Sequence, residues 1–347
     1  MKKLFAMILC LSLILTAVGC AGKPATMENA GGDAGEEKPV VSGEGEVKTG
    51  LSVTASLSSS KSASAEEEGV IQTDVTLVAV TVNEEGVITA CTIDSVQAKM
   101  PVDAAGQLTG DMSAPILSKN ELGTDYGMGK YSPIGKEWNE QAAALADYAV
   151  GKTAEEIQGI AVNEETRPTD ADLASSVTIA IGGLIPAIVD AVENAEYLGA
   201  QNGDELKIVT TGSFSVPDLA EGEAAAVQAD VNIAAATMNG DTITSCILDG
   251  VQAKGAVDAA GQLLTDVTAP VLSKDQKGAD YGMGKISSIG KEWNEQAAAF
   301  ASYVTGKTVE EIQGIAVNEE TRPADADLAT SVTIAVGGFQ ALLGKLG

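Results

Sequence analysis

Apolar and polar residues alternate along Val87-Ile-Thr-Ala-Cys-Thr-Ile93, and a run rich in β-branched residues precedes it. A period of two with Val, Ile and Thr predicts two strands, residues 73–82 and 87–94, joined by a turn at Asn83-Glu-Glu-Gly86. Helical patterning takes over at about residues 134–150. That stretch is Ala-rich, Trp138, Leu145 and Tyr148 can share one face, and Gly151 closes it. Thr153-Ala-Glu-Glu156 has the spacing of a capping box and opens a short helix. A last helix is expected to start near Ser175 or Ser176 and to run through Ile181, Ile185, Ile188 and Val192, with Pro186 as a bend. The fold class implied is α+β, a small antiparallel sheet packed with helices.

This pattern occurs twice. Asp125-Tyr-Gly-Met-Gly-Lys130 recurs as Asp280-Tyr-Gly-Met-Gly-Lys285, and Lys136-Glu-Trp-Asn-Glu-Gln recurs from Lys291. Glu155-Glu-Ile-Gln-Gly-Ile-Ala-Val-Asn-Glu-Glu-Thr-Arg-Pro168 recurs from Glu310. The register shifts by one residue where Asn83-Glu-Glu-Gly86 faces the shorter Asn239-Gly-Asp241, as expected for a hairpin turn. The unit is too long for a solenoid repeat, so two tandem homologous domains are expected, residues 51–200 and 201–347, each with its own core.

The N-terminus changes the picture of where the chain works. Lys2 and Lys3 precede an apolar run too short to span a bilayer comfortably, and Ala17-Val-Gly-Cys20 follows. This resembles a lipobox, which implies removal of residues 1–19, lipidation of Cys20 and a membrane anchor on the outer face of the cell. Residues 20–50, rich in Gly, Glu, Lys and Pro, read as a flexible tether with a reach on the order of 30 Å. Of the remaining cysteines, Cys91 and Cys246 stand at matching positions, so neither repeat can close a disulfide within itself; Cys91 reads as a buried strand residue. The net charge of −28 argues against nucleic acid as a partner. With no histidine, Ser-His-Asp and Cys-His triads and most zinc sites are excluded.

The candidate chemistry lies near the end of each repeat. The first reads Asp172-Leu-Ala-Ser-Ser-Val-Thr178, the second Asp327-Leu-Ala-Thr-Ser-Val-Thr333. This resembles the attachment motif of the FMN-binding domain family, and most of all the doubly flavinylated lipoproteins of Gram-positive extracellular electron transfer. Ser176 and Ser331 stand where the family usually has Gly, and Val177 and Val332 where it has Ala. The resemblance implies that a flavin transferase esterifies Thr178 and Thr333 to FMN phosphate, with Asp172, Asp327, Ser175 and Thr330 completing the motif. Beside it stands a physical expectation: Ser175, Ser176 and Thr178 in the first turn of a helix, with Ser331 likewise in the second repeat, would offer free N–H groups to a phosphate. The same hydroxyls and aspartates could equally be plain helix caps.

Other candidates are the only arginines, Arg167 and Arg322, which could meet the FMN phosphate or the flavin's pyrimidine edge, or pair with Glu164-Glu165 and Glu319-Glu320 beside them. Tyr126 and Met128, with Tyr281 and Met283, sit in Gly-rich turns and could line a flavin. Trp138 and Trp293 could stack on the ring or fill a core, and Lys99 and Lys254 are weaker candidates. The expected function is an electron relay from a membrane quinone or NADH-oxidising donor to extracellular acceptors such as ferric iron or soluble flavins. The alternatives are an extracellular flavin-dependent reductase and a non-redox binding module. No residue set points to a separate substrate site, and no metal site is expected.

Overall fold

The computed structural model describes residues 45–347, all within one compact unit; the leader, Cys20 and the tether up to residue 44 lie outside the described residues. The fold is α+β, with two antiparallel sheets each followed by a similar run of helices. In the first sheet β1 (Glu46–Ser56), β2 (Gly69–Val82) and β3 (Ile88–Val102) form a meander, and β4 (Glu196–Gln201) pairs with the free edge of β1. The second sheet has the order β5 (Glu205–Ser215), β6 (Ala225–Asn239), β7 (Thr242–Val257). The expected hairpins are present. Val82 pairs with Ile88 around the Asn83 turn, and Asn239 pairs with Thr242 around Gly240, whose φ is 62°.

The strands extend beyond the pattern read from sequence. β1 starts at Glu46, so the stretch from Glu46 to Gly50 belongs to the sheet rather than to the tether. β3 continues past Asp94 to Val102.

The central strands explain the architecture. Along β2, Val78, Val80 and Val82 pack on the helices of the first repeat, while Val75 and Leu77 face the other sheet. In β6, Ala234, Ala236 and Met238 pack on the second repeat's helices, and Val227, Val231 and Ile233 face the first sheet. Both strands are therefore buried on both faces, which is why they read as nearly continuous apolar runs. The layers run helices, sheet, sheet, helices, and the middle core is built from both repeats. A buried hydrogen bond of 2.7 Å between Thr49 and Ser245 crosses between the sheets.

The first helical run comprises α1 (Lys119–Leu122), α2 (Trp138–Ala149), α3 (Ala154–Gln158), α4 (Ala171–Ser176) and α5 (Leu184–Glu193). The second comprises α6 (Lys274–Lys277), α7 (Trp293–Val304), α8 (Val309–Gln313), α9 (Ala326–Ala329) and α10 (Gly337–Leu343). The capping box at Thr153 is present, and Gly151, with φ of 84°, follows the end of α2.

The expected single last helix is two helices. Asp170 caps α4, accepting from the N–H groups of Asp172 and Leu173 at 3.1 Å each. α4 ends at Ser176, where Val177 turns extended at φ −130°, ψ 110°. The apolar period survives the break because the Ile181 carbonyl accepts from Leu184 and Ile185 and so starts the ladder of α5. Pro186 introduces no bend: it lies in the first turn of α5, where its missing N–H has no partner to lose.

Candidate functional site

The break after α4 and α9 sets the site. Thr178 and Thr333 lie in the connection to the following helix, and each is held by a buried glutamine. Gln141 of α2 accepts from the Thr178 N–H at 2.7 Å, the Thr178 hydroxyl at 3.1 Å and the Ile179 N–H at 3.2 Å. Its amide donates to Ser132 Oγ at 3.1 Å and the Lys136 carbonyl at 3.0 Å. Gln296 of α7 accepts from the Thr333 N–H at 2.8 Å and its hydroxyl at 3.0 Å, and donates to Ser287 Oγ and the Lys291 carbonyl.

In the second repeat Thr333 borders a cavity of about 490 Å³. Tyr281, Met283, Trp293 and Phe339 supply apolar wall, and Lys274, Ser287, Gln296, Glu320 and Arg322 supply polar groups. Trp293 contacts Tyr281 at 6.4 Å and Phe339 at 5.9 Å between ring centroids. The first repeat has Leu184 in place of Phe339 and Leu145 in place of Phe300.

Arg322 pairs with Glu320 at 3.2 Å on the rim, and Arg167 pairs with Glu165 at 3.4 Å in the first repeat. The arginine loop is strained: Thr166 and Thr321, the residues just before the arginines, have φ of 58° and 56°. A β-branched residue in that region is costly and is held there by its surroundings. The Thr166 carbonyl accepts from the Ile181 N–H at 2.8 Å, which ties the arginine loop to the threonine segment. Gly182 makes this approach possible, since a Cβ there would lie 2.7 Å from Thr166 Cβ.

The tyrosines are fixed by a network common to both repeats. The Tyr126 hydroxyl donates to Gln97 at 3.2 Å, and Gln97 and Gln72 both donate to Asp74. The Tyr281 hydroxyl donates to Gln252 at 3.1 Å, and Gln252 and Gln228 both donate to Asp230. Met128 packs against the first helical core as Met283 does against the second.

Lys119 and Lys274 complete the arrangement. The Lys119 ammonium lies 4.9 Å from the Tyr126 ring and 4.6 Å from the Trp138 ring. Lys274 lies 5.5 Å from Tyr281 and 4.8 Å from Trp293. Burial pulls Lys119 down to about 8 and Lys274 in the same direction. Burial pushes the neighbouring Asp94 up to about 6 and raises Asp249 likewise.

Several expected residues are placed differently. Ser175 and Ser176 are at the C-terminal end of α4, not in a first turn, and their hydroxyls donate back to the Asp172 and Leu173 carbonyls. Thr330 and Ser331 do the same to Asp327 and Leu328. These hydroxyls are spent on local carbonyls, and the expected helix-start phosphate cradle at Thr178 and Thr333 is absent from the described residues. Asp172 and Asp327 are exposed; Asp170 and Asp325 do the capping. Both cysteines are strand thiols, Cys246 buried and Cys91 only half-buried rather than buried as expected; desolvation pushes both up to about 12, with Asp147 adding to the effect at Cys91. Lys99 is exposed and Lys254 pairs with Glu223 at 3.1 Å. Gln141, Gln296, Lys119, Lys274 and the Gln–Asp network are site residues that pattern reading passed over. Their recurrence at the repeat spacing was the available signal.

The chain matches no protein family, no curated protein and no solved structure.

Proposed function

We propose that each repeat carries one covalent FMN, on Thr178 and Thr333, and that the chain, anchored through lipidated Cys20, relays electrons from a membrane quinone or NADH-oxidising donor to acceptors outside the cell. The observation that carries this reading is the convergence of Thr333, Arg322, Tyr281 and Met283 on one cavity. They come from two segments, residues 281–283 and 322–333, that the fold brings to the same cavity.

The residues fit the group. A cavity of about 490 Å³ falls within the range of about 300–1,000 Å³ usual for small-ligand sites. Tyr281, Trp293 and Phe339 offer apolar faces to a planar ring, and Arg322 offers a cation to a phosphate. Once attached, the flavin supplies reversible electron uptake.

The chain's own part is positional. Gln141 and Gln296 orient the threonine hydroxyls by accepting their protons, leaving oxygen lone pairs free for bonding to phosphorus. Esterification removes that hydroxyl donor, but the backbone N–H of Thr178 or Thr333 still holds the glutamine, so the frame survives modification.

Mass spectrometry of the chain co-expressed with a flavin transferase tests the reading. The expected result is two adducts, each of FMN less one water. Thr178→Ala and Thr333→Ala should each lose one, and the double variant both. No adduct on any form would sink the proposal.

A further inference from the structure

Lys119 and Lys274 are not explained by the fold. Lys119 is 9% exposed, yet among the described residues neither lysine forms an ion pair or donates a hydrogen bond. An ammonium has three donors, and removing it from water without acceptors is costly. The aromatic faces on two sides offset part of that cost but accept no hydrogen bond in the usual sense. The same arrangement is built twice, and in the second repeat Lys274 lies on the cavity that Thr333 borders. Lys119 is the buried member of the pair, and Lys274, half-buried, is the one on the cavity; an unpaired ammonium set between two aromatic faces is open to an acceptor from a ligand.

The chemistry of the site narrows which acceptor. On the FMN reading, on which this inference rests, the phosphate is fixed at the threonine, and Arg322 lines the same cavity. The lysine comes from another element, α6, and sits over Tyr281 and Trp293. The ring system accepts hydrogen bonds at N5 and along its pyrimidine edge, and it is the pyrimidine edge that gains charge on reduction. Adding two electrons and one proton to the oxidised ring leaves one negative charge shared by N1 and the C2 carbonyl oxygen. A neighbouring ammonium in a low-dielectric pocket stabilises that charge.

We propose that Lys119 and Lys274 receive the pyrimidine edge of the isoalloxazine in their respective repeats and raise the reduction potential of the bound flavin. The carboxylates that act on Lys119 from the sheet and from β3 are Asp74 and Asp94, with Lys99 opposing them. Those acting on Lys274 are Asp230 and Asp249, opposed by Lys277. None is within ion-pair distance, so the ammonium charge stays available to a ligand.

The test uses the full chain carrying the Thr178→Ala change, so that only the flavin on Thr333 reports. Its potential is measured by spectroelectrochemistry, with the electrode supplying the electrons, and compared with Lys274→Met and Lys274→Arg in the same background. Met keeps an apolar stem against Tyr281 and Trp293. The expected result is full attachment in all three proteins, a shift of tenfold or more toward the oxidised form in Lys274→Met (about 30 mV lower for a two-electron couple), and a potential restored in Lys274→Arg. Lys119→Met in a Thr333→Ala background should behave alike. Attached flavin with an unchanged potential overturns this inference alone. A Lys274→Met chain that takes no flavin puts the lysine in the attachment step and also overturns it. No flavin on the parent chain overturns the FMN reading and this inference together.

Discussion

Replacing Gln141 by Leu tests the strut that holds the Thr178 segment. The side chain is fully buried and makes five hydrogen bonds, three accepted and two donated. Leucine has similar bulk, so the change opens little cavity, and the loss is almost wholly polar. Two backbone N–H groups and the Lys136 carbonyl lose their partner, and an unsatisfied buried group costs about 1–3 kcal/mol. Thr178, Ile179 and Lys136 are only half-buried, so water recovers part of this. The net expectation is a destabilisation of about 3 kcal/mol. Urea denaturation at equilibrium, on the non-lipidated chain, measures it. Gln296→Leu should cost less, because no counterpart of the Ile179 N–H bond is present there among the described residues. A Gln141→Leu protein within about 0.5 kcal/mol of the parent would refute the reasoning, since that is the scatter of ordinary surface changes.

Gly182→Ala should destabilise by about 1–3 kcal/mol through its clash with Thr166, and Thr166→Gly should rescue it by removing both the contact atoms and the positive-φ strain; an additive double-mutant cycle in urea denaturation would contradict this. Asp94 binds more protons folded than unfolded between pH 3.8 and about 6, so its ionisation should lower stability as pH rises through that window. Relative to Asp94→Asn, the parent should lose about 3 kcal/mol between pH 3.5 and 7 in urea denaturation, and a flat difference would count against burial as the cause. Residues 45–201 produced alone should bind a hydrophobic dye and unfold without cooperativity, because Val75, Leu77, Val96 and Met100, each at most 1% exposed, lose the facing sheet at about 1.5–3 kcal/mol for a fully exposed side chain. A half that unfolds cooperatively would refute the shared core.

The hairpin, the capped short helix and the duplication were legible because each rests on local rules. Period two, a capping box and a one-residue turn difference need no tertiary information. β1 was not legible: Gly50 interrupts it, and the Gly-rich stretch before it reads as one continuous tether. Gly50 is required there, since a Cβ would lie 1.9 Å from the Ala191 carbonyl oxygen of α5. The break between α4 and α5 was hidden because Ile181 keeps helical spacing while standing outside the helix. At the candidate site, the threonines, tyrosines, methionines and arginines could be singled out from motif and repetition. The glutamine struts and aromatic-flanked lysines could not. A polar residue on an Ala-rich helix or beside a serine cap looks like surface until the fold buries it.

The duplication also solves a folding problem that a single repeat does not. The run Leu77-Val-Ala-Val-Thr-Val82 is apolar on both faces of its strand, yet one repeat supplies helices for only one of them. The other face is covered by the second sheet, where Ala79 and Ala235 share a small cluster and Gly255 lets Ile71 come close enough that a Cβ would sit 2.4 Å from its Cγ2. This packing fixes where the two candidate sites lie. Asp74 and Gln97, which hold Tyr126, point to the helix side of the first sheet with Val78 and Ile93. Asp230 and Gln252, which hold Tyr281, take the same side of the second. The sites therefore stand on opposite outer faces, with both sheets between them. Stacked sheets are about 10 Å apart, so that spacing and a further side-chain layer on each side separate the sites at the least. The two candidate sites are thus separate places on the chain rather than one doubled pocket, each built against its own sheet.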